Sequence, residues 1–227
     1  MASKKKLTVI ALMLVAIMAV GMVSAYFTDA DTATNTFTIG KISLDLQEPN
    51  WDPDEPGPLT PNQTITKDPQ IKNDGVNDEY VFLTVSVPYE NIVTANADGT
   101  KNTAADTELF SYTIKEGWVQ IGSESKDATA KTVSRTYAYG TAAEMTELSA
   151  GSLTPALFDS VTFCNAVEDQ GLEGSTKDIV ITAYGIQTEN VNGGKTDPAN
   201  VWTVVANQAP TTAVEVTENA KTDIKEG

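Results

Sequence analysis

The sequence has no histidine, one cysteine (Cys164), and only 15 lysines and arginines against 31 aspartates and glutamates in 227 residues. Each shortage excludes something. Without imidazole there is no HExxH zinc helix, no Ser/His/Asp triad and no ready proton shuttle near neutral pH. A lone cysteine allows no intramolecular disulfide framework, so stability has to come from a packed core. The net charge of −16 repels nucleic acid and anionic membrane and favours solubility at a crowded surface.

What is present begins with Lys4, Lys5 and Lys6, followed by an apolar run from Leu7 to Val23 that ends in Val23-Ser24-Ala25. A basic segment, an apolar segment and a small-residue terminus spell a signal peptide, cleaved between Ala25 and Tyr26. The run is at the lower end of what crosses a bilayer, so an uncleaved anchor is the alternative reading. In both cases the rest of the chain is expected outside the cytoplasm. Cleavage removes three lysines and no acid, which makes the mature chain more acidic still.

Beyond the leader the dominant signal is two-residue alternation. Phe37 and Ile39 share one phase and Ile42, Leu44 and Leu46 the other, so the inward face flips at Gly40-Lys41. A bulge or hinge at Gly40 explains the flip, because a slip of one residue exchanges the faces of a strand. The proline-dense EPNWDPDEPGPLTPN reads as loop, TITKDPQIKN as a short strand interrupted by proline, and Asn73-Asp74-Gly75 as a turn. In DEYVFLTVSVP one face, Val81, Leu83, Val85 and Val87, is aliphatic and predicted to be core. Residues 88–108 read as a polar surface excursion with room for a short helix.

Lys115-Glu116-Gly117 predicts a hairpin between LFSYTI and WVQIG, and Ala150-Gly151 another between flanking strands. KDIVITAYGIQ is the last strong strand. DPANVWTVVANQ predicts a helix, with Asp197 as N-cap, Pro198 at the first position and Val201, Val204 and Val205 on one side. The expected fold is all-β, a jelly-roll-like two-sheet antiparallel sandwich with one or two short helices, preceded by the N-terminal signal-peptide helix. Its expected parts are 1–25 signal peptide, 26–40 N-terminal donor or edge strand, 41–209 sandwich and 210–227 flexible acidic tail.

Candidate sites are few. Asp52, Asp54 and Glu55 cluster carboxylates, and Asn96, Asp98 and Gly99 form a second oxygen-rich turn, yet neither has the spacing of a calcium-binding loop, and solvated acidic loops account for both. Cys164 reads as a small hydrophobe in VTFC, with a reactive or intermolecular thiol as the alternative. Trp118 and Trp202 sit in apolar runs and read as core, while the position of Trp51 among prolines is open. Aromatics exposed along one sheet face would instead point to a monomeric carbohydrate-binding module.

AYFTD after the apolar leader, TNTFTIGKISLDL, LTPNQTITKDPQIKNDG, LSAGSLTPALFDSVTF and DIVITAYGIQ together resemble the TasA/camelysin (CalY) family of exported Gram-positive proteins. The resemblance implies a leader removed by a SipW-type signal peptidase and a secreted jelly-roll subunit of biofilm-matrix fibres at the cell surface. It also implies a self-partnering homopolymer in which the mature N-terminal segment is donated to a neighbour's sheet. Phe27, Phe37 and Ile39 are the expected anchors of that donor strand, and its alternative is an edge strand folded back in cis. A cell-wall or matrix partner is compatible with this reading; nucleic acid is not. The family also carries a metalloprotease label. A zinc protease needs imidazole or thiolate ligands, so the expectation here is no enzyme and no cofactor.

Overall fold

The computed structural model describes residues 42–52, 58–208 and 214–216. By compactness the chain divides into two units, Met1–Ile39 and Gly40–Gly227, and the fold below is that of the second. It is an antiparallel β-sandwich with one short α-helix, as expected.

One sheet runs in the order β11 (Val214–Val216), β10 (Val180–Gln187), β4 (Glu79–Ile92), β8 (Thr132–Tyr139), β7 (Trp118–Asp127), and β5 (Ala105–Glu108) pairs with the far end of β4. Facing it are the pair β1 (Leu44–Gln47) and β3 (Gln70–Asn73) and the three-stranded β2 (Thr64–Thr66), β9 (Ser160–Phe163), β6 (Phe110–Ser111). The aliphatic face of β4 fills the space between them. Val81, Leu83, Val85 and Val87 are fully buried against Leu44, Leu46, Ile71, Leu157, Phe158 and Val161.

The opposite face of the large sheet is not wholly open. Tyr80 and Phe82 of β4 are buried as well, because α1 (Pro198–Gln208) lies across that end with Val201 and Val205 inward. Trp202 packs against Phe82 in a tilted contact at 5.1 Å and edge-to-face against Tyr184 at 5.2 Å. Asp197 caps the helix as predicted, its Oδ1 accepting from the amides of Ala199 (3.1 Å) and Asn200 (3.2 Å). Further along the same face, away from the helix, hydroxyl pairs replace apolar packing, with Thr84 and Thr136 at 3.0 Å and Ser86 and Ser134 at 2.7 Å.

Four local expectations change. TITKDPQIKN is two strands, not one. The break at Lys67-Asp68-Pro69 carries the chain from β2, paired with β9, to β3, paired with β1. The excursion at 88–108 contains no helix: β4 continues through Pro88 to Ile92, and β5 returns along it. Pro88 is the last residue of β4 in register with β8, opposite Thr132, and the pairing with β5 begins at the next residue, Tyr89, so the proline sits at the end of each ladder and not inside one.

Lys115-Glu116-Gly117 does not close a hairpin. The Lys115 amide donates to Leu157 O at 2.8 Å, which draws the chain after β6 along the 157–160 segment before it crosses to β7 in the other sheet. Ala150-Gly151 does form a turn, but its flanks attach by single bridges, Glu79 to Leu148 and Lys72 to Leu153, instead of forming strands.

Candidate functional site

The residues on which strand donation depends in the sequence reading, Ala25, Tyr26, Phe27, Phe37, Ile39 and Gly40, lie outside the described residues, as do Asp54 and Glu55. What the structure does describe is the place where the N-terminal segment joins the domain. Ser43 leads into β1, its amide donating to Glu79 Oε1 at 3.3 Å. Leu44 rests on β10 so closely that a Cβ on Gly185 would come within 2.9 Å of Leu44 Cδ1 and 3.0 Å of Glu79 Oε2. Gly185 therefore permits the crossing of β1 over β10. Glu79 is fully buried in this junction and its Oε2 has no hydrogen-bond partner. Burial pushes its carboxyl up to about 7, opposed by the Ser43 amide. Nothing in the alternation of DEYVFLTVSVP marks Glu79 as buried, and the sequence reading missed it.

Around this junction the sandwich exposes edges, and edges are where another strand can add. On the β10 side the only cover among the described residues is β11, paired at Ile181 with Val216, Thr182 with Glu215 and Ala183 with Val214. On the opposite side β7 is the outermost strand. It is exposed from Gly122 to Asp127, its register slips between Ile121 and Ser125, and charges line it: Glu124 is ion-paired with Arg135 at 2.6 Å and Lys126 with Asp106 at 2.7 Å. A bulge and charged side chains are the devices that make an edge unreceptive. In the smaller sheet, β6 parts from β9 after Ser111, and an open cleft of about 410 Å³ forms between Ser111–Lys115 and Asp159–Thr162. The Lys115–Asp159 ion pair at 2.7 Å crosses it.

The metal candidates resolve differently. Asp52 follows β1 in the loop. At the second turn the oxygens are already engaged: Asp98 Oδ1 accepts from the amide (3.0 Å) and the hydroxyl (2.6 Å) of Thr100, and Asn96 donates to the same hydroxyl at 2.9 Å. Among the described residues no three His, Cys, Asp or Glu side chains come together as a metal site. The donors do not fit catalytic zinc in any case. There is no imidazole in the chain, and Cys164 is half-buried at the end of β9, where burial pushes its thiol up, away from the thiolate that zinc requires.

The tryptophans offer no open platform either. Trp118 is buried and donates to Pro155 O at 3.1 Å, Trp202 is held by its ring contacts, and Trp51 is half-buried with the Lys67 ammonium 4.7 Å above its ring.

The class defined here is an antiparallel β-sandwich with sheet edges that are only partly covered and, among its described residues, no cluster of side chains that could hold a metal. The sequence pattern of the camelysin metallo-endopeptidase family matches residues 2–171, and the chain belongs to that family. No curated protein and no solved structure matches the chain.

Proposed function

We propose that this chain is a secreted structural protein, the subunit of an extracellular fibre, and not a protease. A SipW-type peptidase releases Tyr26 on export, and the freed segment Tyr26–Ile39 is donated to the sheet of a neighbouring copy. The observation that carries this reading is the partly covered outer edge of β10: among the described residues three of its eight residues are paired on that side, beside the junction from which the N-terminal segment leaves. An added strand would gain main-chain hydrogen bonds along the remaining length. The donor chemistry speaks against the proteolysis named by the family, since the imidazole on which catalytic zinc sites lean is absent from the sequence and one cysteine remains. The acidity of the chain suits an extracellular particle kept soluble until it assembles.

The test is N-terminal sequencing of the exported product together with negative-stain microscopy of the mature chain and of a variant lacking Tyr26–Ile39. The mature chain is expected to form fibres, and the shortened one to remain folded and solitary. Fibres from the shortened chain would remove strand donation, and its unfolding would make the segment an edge strand of its own domain.

A further inference from the structure

We propose that the C-terminal strand β11 is a placeholder on the β10 edge, displaced during assembly by the segment Tyr26–Ile39 of a second copy. The inference rests on the strand-donation reading and names the acceptor edge and the element that regulates it.

The edges differ in what they can receive. β2 and β6 present three and two residues, too short to align a donor, and β7 is bulged and charged. β10 presents eight residues. Ile181 and Ala183 are buried toward the main core, and Ile186 is buried toward the helix. It is therefore an edge that already belongs to both cores. A strand added there would extend the large sheet directly beside β1, which lies against both β10 and β11.

β11 holds this edge weakly. It is three residues long, and its register sets Val216 opposite Ile181 and Val214 opposite Ala183. The N-terminal segment carries the same apolar–polar–apolar pattern in larger residues: Phe37-Thr38-Ile39 corresponds to Val214-Glu215-Val216. From Thr32 to Gly40 it also carries no charge, whereas β11 brings Glu215 to the edge of a strongly acidic molecule. A longer, uncharged strand with bulkier apolar residues makes more ladder bonds and buries more apolar surface than the tail does.

The tail has the opposite advantage. Being tethered to the same chain, it finds the edge without a loss of translational freedom. At low concentration the tail wins and the exported molecule stays solitary; where molecules accumulate, the donor wins. The tail thus sets the concentration at which fibres begin.

Three mature chains starting at Tyr26 test this, all in a Cys164→Ala background: the full chain, one ending at Gln208, and one carrying Thr182→Cys with Glu215→Cys. The last two positions are register partners in the β10–β11 ladder, and a cystine between directly opposed residues of an antiparallel pair fastens the tail. Assembly is followed by light scattering and microscopy, and folding by near-ultraviolet circular dichroism. Removing the tail is expected to lower the concentration needed for assembly by roughly tenfold, the tax that a mostly occupied edge imposes. The oxidised lock is expected to prevent fibres, and reductant to restore them.

Equal assembly by all three chains would overturn the placeholder and leave strand donation standing. Fibres from none, with all three folded, would overturn both. If the shortened chain fails to fold, the lock decides alone: assembly of its oxidised form as fast as its reduced form overturns the inference, and redox-dependent arrest supports it.

Discussion

The amide of Ser43 donates to Glu79 Oε1 at 3.3 Å, which fastens the start of β1 to a carboxyl group with no exposed surface. Gly185 lies on the other side of the carboxyl, so close that a methyl group there would touch it. The start of β1 thus lies over a buried acid.

That acid makes stability depend on pH. In the unfolded chain the Glu79 carboxyl ionises near its ordinary 4.5, and in the folded chain burial holds its proton up to about 7. Between those values the folded state binds more protons than the unfolded one, so stability falls as pH rises from about 4.5 to about 7 and then levels off. A shift of this size corresponds to about 3 kcal/mol. Denaturant titrations between pH 5 and pH 8 should show this decline in the parent chain and lose it in Glu79→Gln. An unchanged slope in the variant would mean that another group is responsible.

Asn73 is the second buried polar residue on which the architecture turns. It is fully buried, its Nδ2 donates to Asn77 O and Leu148 O at 2.9 Å, and its Oδ1 accepts from the Gly75 amide at 2.8 Å. One side chain therefore closes the turn into β4 and ties the irregular 143–159 segment to it. Asn73→Ala should cost about 2–4 kcal/mol, because three hydrogen bonds of one fully buried side chain are lost together and its volume is left empty. Asn73→Asp should fail as well, since a carboxylate cannot donate to the two carbonyls. Thermal melts of both variants check this.

Much of the sandwich can be read from local chemistry. The aliphatic alternation of Val81–Val87 and the Asp197 cap with Pro198 each report a preference of one short segment, and each holds in the fold. The misreadings share one cause. Lys115–Gly117 has the composition of a hairpin turn, and TITKDPQIKN that of one strand, but which sheet each flank joins is decided by distant partners: Leu157 O for Lys115, Thr162 and Val161 for β2, Leu46 for Ile71. Local composition does not encode those pairings. Glu79 escaped notice for the same reason, since a charged residue at the start of a strand looks solvated until β1 is laid across it.

The lack of imidazole leads to a prediction about chelation. A metallo-endopeptidase loses activity and commonly stability with its metal, because binding free energy contributes to folding. Here the melting temperature is expected to be the same before and after dialysis against EDTA, and casein or a general peptide library should remain uncut with or without added zinc. Zinc-dependent cleavage by the purified chain, abolished by chelator and absent from a mock preparation, would overturn the structural reading.

The last prediction concerns Lys67, which the sequence places in a strand and the structure places in the crossing between β2 and β3. Its Nζ is 2.7 Å from Glu48 Oε2 and 4.7 Å from the Trp51 ring centroid, and its side chain is 10% exposed. The ammonium thereby links the residues that follow β1 to the point where the chain changes sheets. A pair this enclosed is sheltered from salt, unlike the exposed Lys72–Asp74 pair. Truncation to alanine takes the cation from a buried carboxylate and the ring contact from Trp51, and should cost about 3–5 kcal/mol. Lys67→Met keeps the apolar stem over the indole but still takes from Glu48 its ammonium partner at 2.7 Å, so it should recover only part of that loss. Lys67→Met with Glu48→Gln removes both charges of the pair and should come within about 1 kcal/mol of the parent, since replacing both members of a buried pair is often close to neutral. Urea titrations at low and at molar salt check the order of the three variants. A parent stability that drops with salt as far as Lys67→Ala would show the pair to be solvated and the tie to be weak.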